Sequence, residues 1–445
     1  MQMKPAVEVG GARVFLGDCR DVLATLPDNS VDSVVTDPPY ELGFMGKKWD
    51  NSGVAYDVTV WAECLRVLKP GGHVLAFGGS RTWHRLAVAV EDAGFELRDS
   101  IAWLYGSGFP KSLDVSKAID KNLGAEREKI RVDASEVRNP KAIGNGTDGM
   151  EGGTRPWIEK ALEVGFHEKD SDIPASPEAQ QWEGWGTALK PAFEPVVVGR
   201  KPLVGTVAEN VLEWGVGGLN IDGSRIGNET RTFSPMKSFG LLDRSSFPNA
   251  QSQEATTVQG RWPANVILDE VTAGLLDEQS GVSKPKPGRT GRKGGNGGAL
   301  GEFAGSSPDA IGVWPEDVGG GASRFFYVAK ASKRDRNEGL EELEAGYTKR
   351  DNGFSDKISD TKTPRQNFHP TVKPTQLMRY LIKLVTPPGG TVLDPFTGSG
   401  STGKAALLDG YGFIGAELTE EYLPIIEGRL KWASEQEGEA DDTLF

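Results

Sequence analysis

The sequence predicts a wound α/β fold built from the two ends of the chain, with a long irregular stretch between them. Three observations carry this reading. Strand-like and helix-like runs alternate from Arg13 to Tyr105. The rhythm stops after Gly106, where residues 111–320 are rich in Gly, Pro, Asn and scattered Trp. It resumes at Pro374 and runs to Trp432. Such alternation argues for a parallel sheet covered by helices.

The elements follow in order. Arg13 to Gly17 reads as a short strand ending at Asp18, with a helix through Val22 and Leu23. Val31 to Thr36 is a second strand, which Pro38-Pro39 forbids from continuing. Val58 to Leu68 has helical spacing and stops at Lys69-Pro70-Gly71-Gly72. Gly72 to Phe77 is a strand, Arg81 to Ala93 a helix, and Ile101 to Tyr105 a further strand. In the middle region a helix is expected from Val115 to Leu123, capped by Asp114. The apolar runs Glu194 to Val198 and Arg324 to Ala329 suit strands returning to the sheet. Gly288 to Gly305 reads as a mobile glycine-rich stretch and residues 333–366 as polar loop. Then come a helix over Thr375 to Val385, a strand over Thr391 to Leu393 and a glycine turn opening a helix over Gly398 to Leu408. A strand over Tyr411 to Ala416 and a helix over Glu421 to Trp432 close the series. The sequence shows no internal repeat. The expected organisation is 1–110, a middle region 111–365, a third part 366–432 and an acidic, disordered tail 433–445.

Composition narrows the classes. With 445 residues, 37% hydrophobic and 25% charged, the chain suits a soluble globular protein of two or three domains. No run reaches the length of a membrane span, and the N-terminus lacks the apolar stretch of a signal peptide, so a cytoplasmic enzyme without membrane partners is expected. Cys19 and Cys64 cannot make a disulfide framework, and with four scattered histidines no metal site is expected. The net charge of −13 argues against an all-over positive potential but allows a local basic cleft. One basic stretch stands out: Lys284, Lys286, Arg289, Arg292 and Lys293, with no acidic residue among them. It suits a loop following a phosphate backbone, or a solvated linker.

Two motifs carry chemistry. Asp394-Pro395-Phe396-Thr397-Gly398-Ser399-Gly400 joins a strand to a helix through glycines. Glycines let backbone approach a ligand, and a helix N-terminus favours a carboxylate or phosphate. Glu417, about 20 residues on, stands where an acid commonly takes ribose hydroxyls. The alternative is an ordinary tight turn. Gly398 to Lys404 also fits most of a phosphate-binding P-loop, but Ala405 replaces the required hydroxyl. The second motif, Asp37-Pro38-Pro39-Tyr40, is at least a strand-terminating turn. It also suits a site where a carboxylate and a proline carbonyl accept both hydrogens of an exocyclic amino group, with Tyr40 stacking on the base. Asp18 is either a helix cap or a cofactor contact. Lys373, in the stiff segment His369 to Pro374, is suited to pairing with a ligand carboxylate.

These residues, in this order, resemble the S-adenosylmethionine-dependent DNA amino-methyltransferases in their permuted arrangement. The likeness covers roughly residues 10–110 and 365–430, through Gly17-Asp18, Asp37 to Tyr40, His369 to Pro374, Asp394 to Gly400 and Gly415 to Glu417. The interior, at Lys190 to Pro195 and Lys330 to Ser332, resembles phage and prophage methylases. The resemblance implies a Rossmann-like seven-stranded methyltransferase sheet, circularly permuted, with a large irregular insertion for target recognition. It implies methyl transfer to adenine N6 in double-stranded DNA by in-line displacement on a flipped base, as in restriction-modification. Cytosine N4 is the alternative, and a P-loop NTPase a remote one. By the same resemblance Asp37, Pro38, Pro39 and Tyr40 take the target base. Lys373, Phe396, Thr397, Gly398, Ser399, Gly400, Ser401 and Thr402 surround the methionine part of the donor, and Thr371 and Asp394 also belong to the cofactor site. Glu417 takes its ribose, and Asp18 lies near its adenine. The recognition sequence and the oligomeric state, a homodimer included, stay open.

Overall fold

In the computed structural model, residues 3–42, 52–108, 112–133, 164–233, 256–284, 319–330, 333–343, 346–347 and 364–436 are described. The N-terminal part forms β1 (Val7–Val9), β2 (Ala12–Leu16), α1 (Cys19–Ala24), β3 (Val31–Thr36), α2 (Val58–Val67), β4 (Leu68–Phe77), α3 (Trp83–Asp92) and β5 (Glu96–Leu104). The middle region contributes α4 (Val115–Leu123), β6 (Lys129–Asp133), β7 (Phe166–Asp170), α5 (Pro177–Gln181), β8 (Phe193–Arg200) and α6 (Val207–Trp214). It continues with β9 (Ile226–Phe233), β10 (Thr256–Arg261), β11 (Val266–Asp269), α7 (Glu270–Ser280), β12 (Tyr327–Ala329), α8 (Lys333–Asn337), β13 (Gly346–Tyr347) and β14 (Pro364–Arg365). The C-terminal part forms α9 (Thr375–Val385), β15 (Thr391–Asp394), α10 (Ser401–Leu408), β16 (Gly412–Glu417) and α11 (Leu423–Glu435). Among the described residues no helix is long and apolar enough to cross a membrane.

The main sheet has ten strands in the order β1-β2-β16-β15-β3-β4-β8-β5-β11-β12. Strands β15 and β16, from the far end of the chain, lie between β2 and β3. The pairs β2–β16, β16–β15, β15–β3 and β3–β4 are parallel. Strand β8 runs antiparallel to both β4 and β5. The seven strands from β2 to β5 in this order form one continuous block. Three more extend it: β1 pairs back on β2 through Gly10-Gly11, and β11 and β12 add in parallel beyond β5.

Both faces are covered. Along β3 all six residues are buried, as expected of a parallel strand between two helical layers. Val34 faces a core that includes Val22 of α1, Trp61 of α2 and Leu86 of α3. Val35 faces the opposite core, with Leu377 and Ile382 of α9, Ala406 of α10 and Ile426 of α11. Because successive strand residues point to opposite sides, the two ends of the chain are packed into both cores at once.

The structure departs from sequence expectation in three places. Strands β1, β6, β7, β9, β10, β11, β13 and β14 and helices α5, α6 and α7 have no counterpart in the sequence reading, although β6, Lys-Ile-Arg-Val-Asp, does alternate polar and apolar residues. Residues 333–337 form α8 rather than loop. Its composition, Lys-Arg-Asp-Arg-Asn, has no apolar period, and ion pairs order it instead. Helix α11 continues to Glu435, where the acidic tail was expected to have begun. The stretch 288–305 lies outside the described residues.

Trp61 is fully buried, and its indole N–H donates to the Ala55 carbonyl at 2.9 Å. Trp61→Ala should cost about 3–5 kcal/mol through the cavity it leaves. Urea denaturation of the variant measures this as a lowered midpoint at nearly unchanged slope.

Candidate active site

The carboxyl ends of β2, β16, β15 and β3 lie along one edge of the sheet, where open α/β folds bind ligands. A cavity of about 1180 Å³ opens there. It is lined by Asp18, by Asp37 to Tyr40, by 187–194 from the loop entering β8, by the turn after β15 and by Glu417.

The glycine turn forms one wall. Asp394 ends β15 and is buried. Its carboxylate accepts from Thr36 Oγ1 at 2.6 Å, from Thr402 Oγ1 at 2.6 Å and from the Phe396 N–H at 3.0 Å. Burial pushes its pKa up to about 6 against those hydrogen bonds. Gly398 and Gly400 both have positive φ, 54° and 75°. A Cβ on Gly398 would stand 3.1 Å from His369 Nε2, so both conformation and space call for glycine. Gly400 precedes α10, whose N-terminus receives no side-chain cap. Thr397, Ser399 and Ser401 are buried behind the turn, and Arg429 Nη1 donates to the Ser399 carbonyl at 2.8 Å and to Ser401 Oγ at 3.0 Å. Glu417 ends β16 and accepts from the N–H groups of Gly398 at 2.8 Å and Thr419 at 2.7 Å. Burial pushes its pKa up to about 7 despite those bonds.

A second wall follows β3. Asp37 Oδ2 accepts from Lys373 Nζ at 2.8 Å. The same ammonium lies 3.1 Å from the Tyr40 hydroxyl and 3.2 Å from Glu194 Oε2. The Tyr40 hydroxyl in turn donates to Glu194 Oε2 at 2.8 Å. Burial disfavours the Lys373 charge, but the Asp37 and Glu194 carboxylates outweigh it and hold its pKa above the ordinary lysine value. Burial and the same two carboxylates push the Tyr40 phenol well up. Asp37 Oδ1 is buried and has no partner. The Thr82 hydroxyl fixes the turn by donating to the Tyr40 carbonyl at 2.9 Å.

Asp18 caps α1 and pairs with Arg20 at 2.6 Å, which holds its pKa down to about 2; it lines the cavity as well. Thr371 and Phe396 also line it. His369 is buried, with its Nδ1 against the Thr371 carbonyl, and burial pushes its pKa down to about 4. The three donors of Lys373 face Asp37, Tyr40 and Glu194. Sequence reading could not see this, because the partners lie 336 and 333 residues away along the chain. Lys404, the P-loop lysine of the rival reading, points out of the cavity. It is fully buried, bonded to Asp335 and Glu338 at 2.8 Å each. Of the basic stretch, Lys284 is exposed and outside the cavity lining, while Lys286, Arg289, Arg292 and Lys293 lie outside the described residues. Cys19 lines the cavity, but burial pushes its thiol up to about 12.

Among the charged lining residues that sequence reading did not assign to the site are Arg20, Asp57, Arg81, Lys190 and Glu194. Asp57 caps α2 and looks like any helix cap. Glu194 had two available signals, a carboxylate at the head of an apolar strand run and its place in the Lys190 to Pro195 segment.

A family model described as DNA methylase matches residues 31–163 and 309–428, more than half of the chain. The chain belongs to that family. It is 44% identical over 71 residues to the DNA adenine methyltransferase YhdJ of Escherichia coli (strain K12), 16% of this chain and 24% of that protein. It is 45% identical over 67 residues to the type II methyltransferase M2.DpnII of Streptococcus pneumoniae, 15% of this chain and 25% of that protein. The matches thus span about a quarter of each relative's length. Among solved structures, the cytosine-N4-specific PvuII DNA methyltransferase is 14% identical over 96% of this chain and 89% of its own, with a TM-score of 0.42.

Gly398→Ala should destabilise the protein by roughly 1–2 kcal/mol, since an L side chain is strained in the left-handed region. Thermal unfolding should show the loss, whereas Gly410→Ala, at a similar φ of 72° with open space around its Cβ position, separates backbone strain from crowding.

Proposed function

We propose that this protein transfers a methyl group from S-adenosylmethionine to N6 of adenine in double-stranded DNA, on a base flipped into the cavity. One observation carries the reading: a buried, unpartnered carboxylate oxygen, Asp37 Oδ1, shares a cavity with a glycine turn that admits a ligand against backbone. The space exceeds the roughly 300–1,000 Å³ of a single small-molecule pocket, which suits a donor and a base side by side. The residues fit the donor. Glu417 stands by the turn for ribose hydroxyls, Phe396 and Asp18 line the same space, and the uncapped start of α10 favours a carboxylate. The middle region then serves target recognition, and the chain order is the permuted one. The match to a protein named as an adenine methyltransferase, and an acidic first residue in Asp37-Pro38-Pro39-Tyr40, support adenine over cytosine.

The wall residues have separable tasks. Asp37 Oδ1 accepts one amino hydrogen and a proline carbonyl of the turn the other, which turns the nitrogen lone pair toward the donor. Tyr40, held by Glu194 and Lys373, offers its ring to the flipped base. When bound, S-adenosylmethionine supplies an electrophilic methyl: the nitrogen pair forms the N–CH3 bond, the S–CH3 bond breaks with its pair left on sulfur, and the positive charge passes to nitrogen. Asp37 Oδ1 is placed to take the proton that nitrogen then releases. No thiolate is required, in keeping with the buried Cys19. Positioning and lone-pair exposure supply most of the rate. Methylation-aware sequencing of DNA from cells expressing the protein tests the reading; cytosine methylation would correct the base, and no methylation would refute it.

Asp37→Ala should lower turnover roughly 10²–10³-fold, as loss of one preorganised hydrogen-bonding group does, while calorimetry shows near-normal S-adenosylmethionine affinity. Near-wild-type turnover in a folded variant contradicts the assignment.

Glu417 generates a pH prediction. Its folded pKa is raised to about 7, and hydroxyl donors bind its ionised form. Below that pKa binding must first expel a proton, so affinity should rise with pH between about 6 and 8. Glu417→Gln should flatten the part of the profile that wild type shows in excess. Parallel slopes in the two proteins would remove Glu417 from the cofactor site.

A further inference from the structure

The amino-group wall contains more charge than the transfer obviously needs. Asp37 is negative, but Lys373 sits 2.8 Å from its Oδ2 and cancels it. Glu194 is a second carboxylate, 3.2 Å from the same ammonium. It arrives from β8, the antiparallel strand that the middle region inserts between β4 and β5. Its side chain is 18% exposed and that of Lys373 8%, so water screens this cluster poorly. The other carboxylate close by, Asp394, belongs to the glycine turn and has its oxygens occupied by Thr36, Thr402 and the Phe396 N–H.

We propose that Glu194 is a positioning residue that keeps the amino-group wall anionic, offsetting Lys373 so that Asp37 meets the nitrogen with its negative charge effectively uncancelled. The inference rests on the methyl-transfer reading. In that transfer the positive charge moves from sulfur to the amino nitrogen, so the wall must favour a cation that forms during the reaction. Asp37 and Lys373 alone would present a neutral pair. Asp37, Lys373 and Glu194 together present one net negative charge. Lys373 is retained because it holds Asp37 Oδ2 and leaves Oδ1 open, and because its ammonium finds three acceptors in Asp37, Tyr40 and Glu194. Electrostatic stabilisation of this kind acts on the transition state and leaves binding of the uncharged base little changed.

Charge restoration tests it. Glu194→Gln keeps an acceptor for the Tyr40 hydroxyl and removes only the charge; turnover should fall by about 10²-fold, with KM for the methyl donor unchanged. Glu194→Asp, which retains the charge, should recover much of that loss. The deciding variant is Glu194→Gln combined with Lys373→Met, which removes both charges and restores the wall to one net negative from Asp37. It should turn over about tenfold faster than Glu194→Gln alone, an outcome in the non-additive class expected of coupled charges. A double variant no faster than the single one overturns the proposal, as does wild-type turnover in Glu194→Gln. Two readouts besides turnover accompany it: S-adenosylhomocysteine affinity by calorimetry, and fluorescence of 2-aminopurine at the target position as a report of flipping. Both should stay near wild type in Glu194→Gln; loss of either shows a role in binding and overturns the proposal. A wild-type protein that methylates no DNA defeats the underlying reading and this inference with it. An active wild type with no restoration defeats only this one.

Discussion

The cavity exists because two strands from opposite ends of the chain are stitched side by side. The seam between β3 and β15 is polar at both ends. Near its start, Ser33 and Thr386 share a hydrogen bond at 2.8 Å and Asp32 accepts from the Thr391 N–H at 2.7 Å. At its far end, Thr36 donates to Asp394 at 2.6 Å, across 358 residues of sequence. Thr36 immediately precedes Asp37, and Asp394 opens the glycine turn. One buried hydrogen bond therefore sets the separation between the two walls. Asp394 also holds Thr402, at the start of α10, so the helix that begins beside the turn is fixed by the same carboxylate. A buried carboxylate left without those donors would carry its full desolvation cost, which ties the geometry of the site to the stability of the sheet.

The middle region is woven into this arrangement. It places Glu194 beside Tyr40 and Lys373 through β8, and it braces the glycine turn from behind through α8. Asp335 of α8 accepts from the Thr375 N–H at 2.8 Å, at the start of α9, and from Lys404 of α10 at 2.8 Å. Arg336 donates to the His369 carbonyl. A charged segment with no apolar period thus reaches the residues flanking Lys373 on one side and the helix after Gly400 on the other.

What the sequence made legible were residues whose backbone roles are local. Asp-Pro-Pro ends a strand because proline cannot continue the ladder, and Gly398 and Gly400 mark a turn because φ is positive there. Helices with clear apolar spacing, such as Val58–Val67 and Thr375–Val385, were readable to within a residue or so. Pairings were not. Nothing local in Lys373 distinguishes a partner carboxylate in a ligand from Asp37 336 residues away. Strand β11, four residues long, is too short to show a period and gains its place by pairing with β5. Helix α8 reads as loop because ion pairs and not apolar burial hold it. The seven-strand expectation came from family resemblance, and the three added strands depend on hairpin closure and on pairings of the middle region.

The charge of the cavity bears on what it admits. Its lining carries six carboxylates, Asp18, Asp37, Asp57, Glu194, Asp394 and Glu417, against four cations, Arg20, Arg81, Lys190 and Lys373. Arg20 is committed to Asp18 and Asp57, and Lys373 to Asp37 and Glu194. Arg81 and Lys190 are exposed residues of the lining. A nucleoside triphosphate would bring several negative charges against this excess of carboxylates, with the one lysine of the glycine helix turned into the core. A sulfonium donor brings a positive charge, and a flipped base brings none. Under the proposed methyl-transfer reading, the exposed cations of the rim suit a DNA backbone and the carboxylate-rich interior suits an uncharged base. Under that reading the acidic character of the chain, which at first sight disfavours a nucleic-acid partner, favours neutral and cationic groups over phosphate inside the cavity.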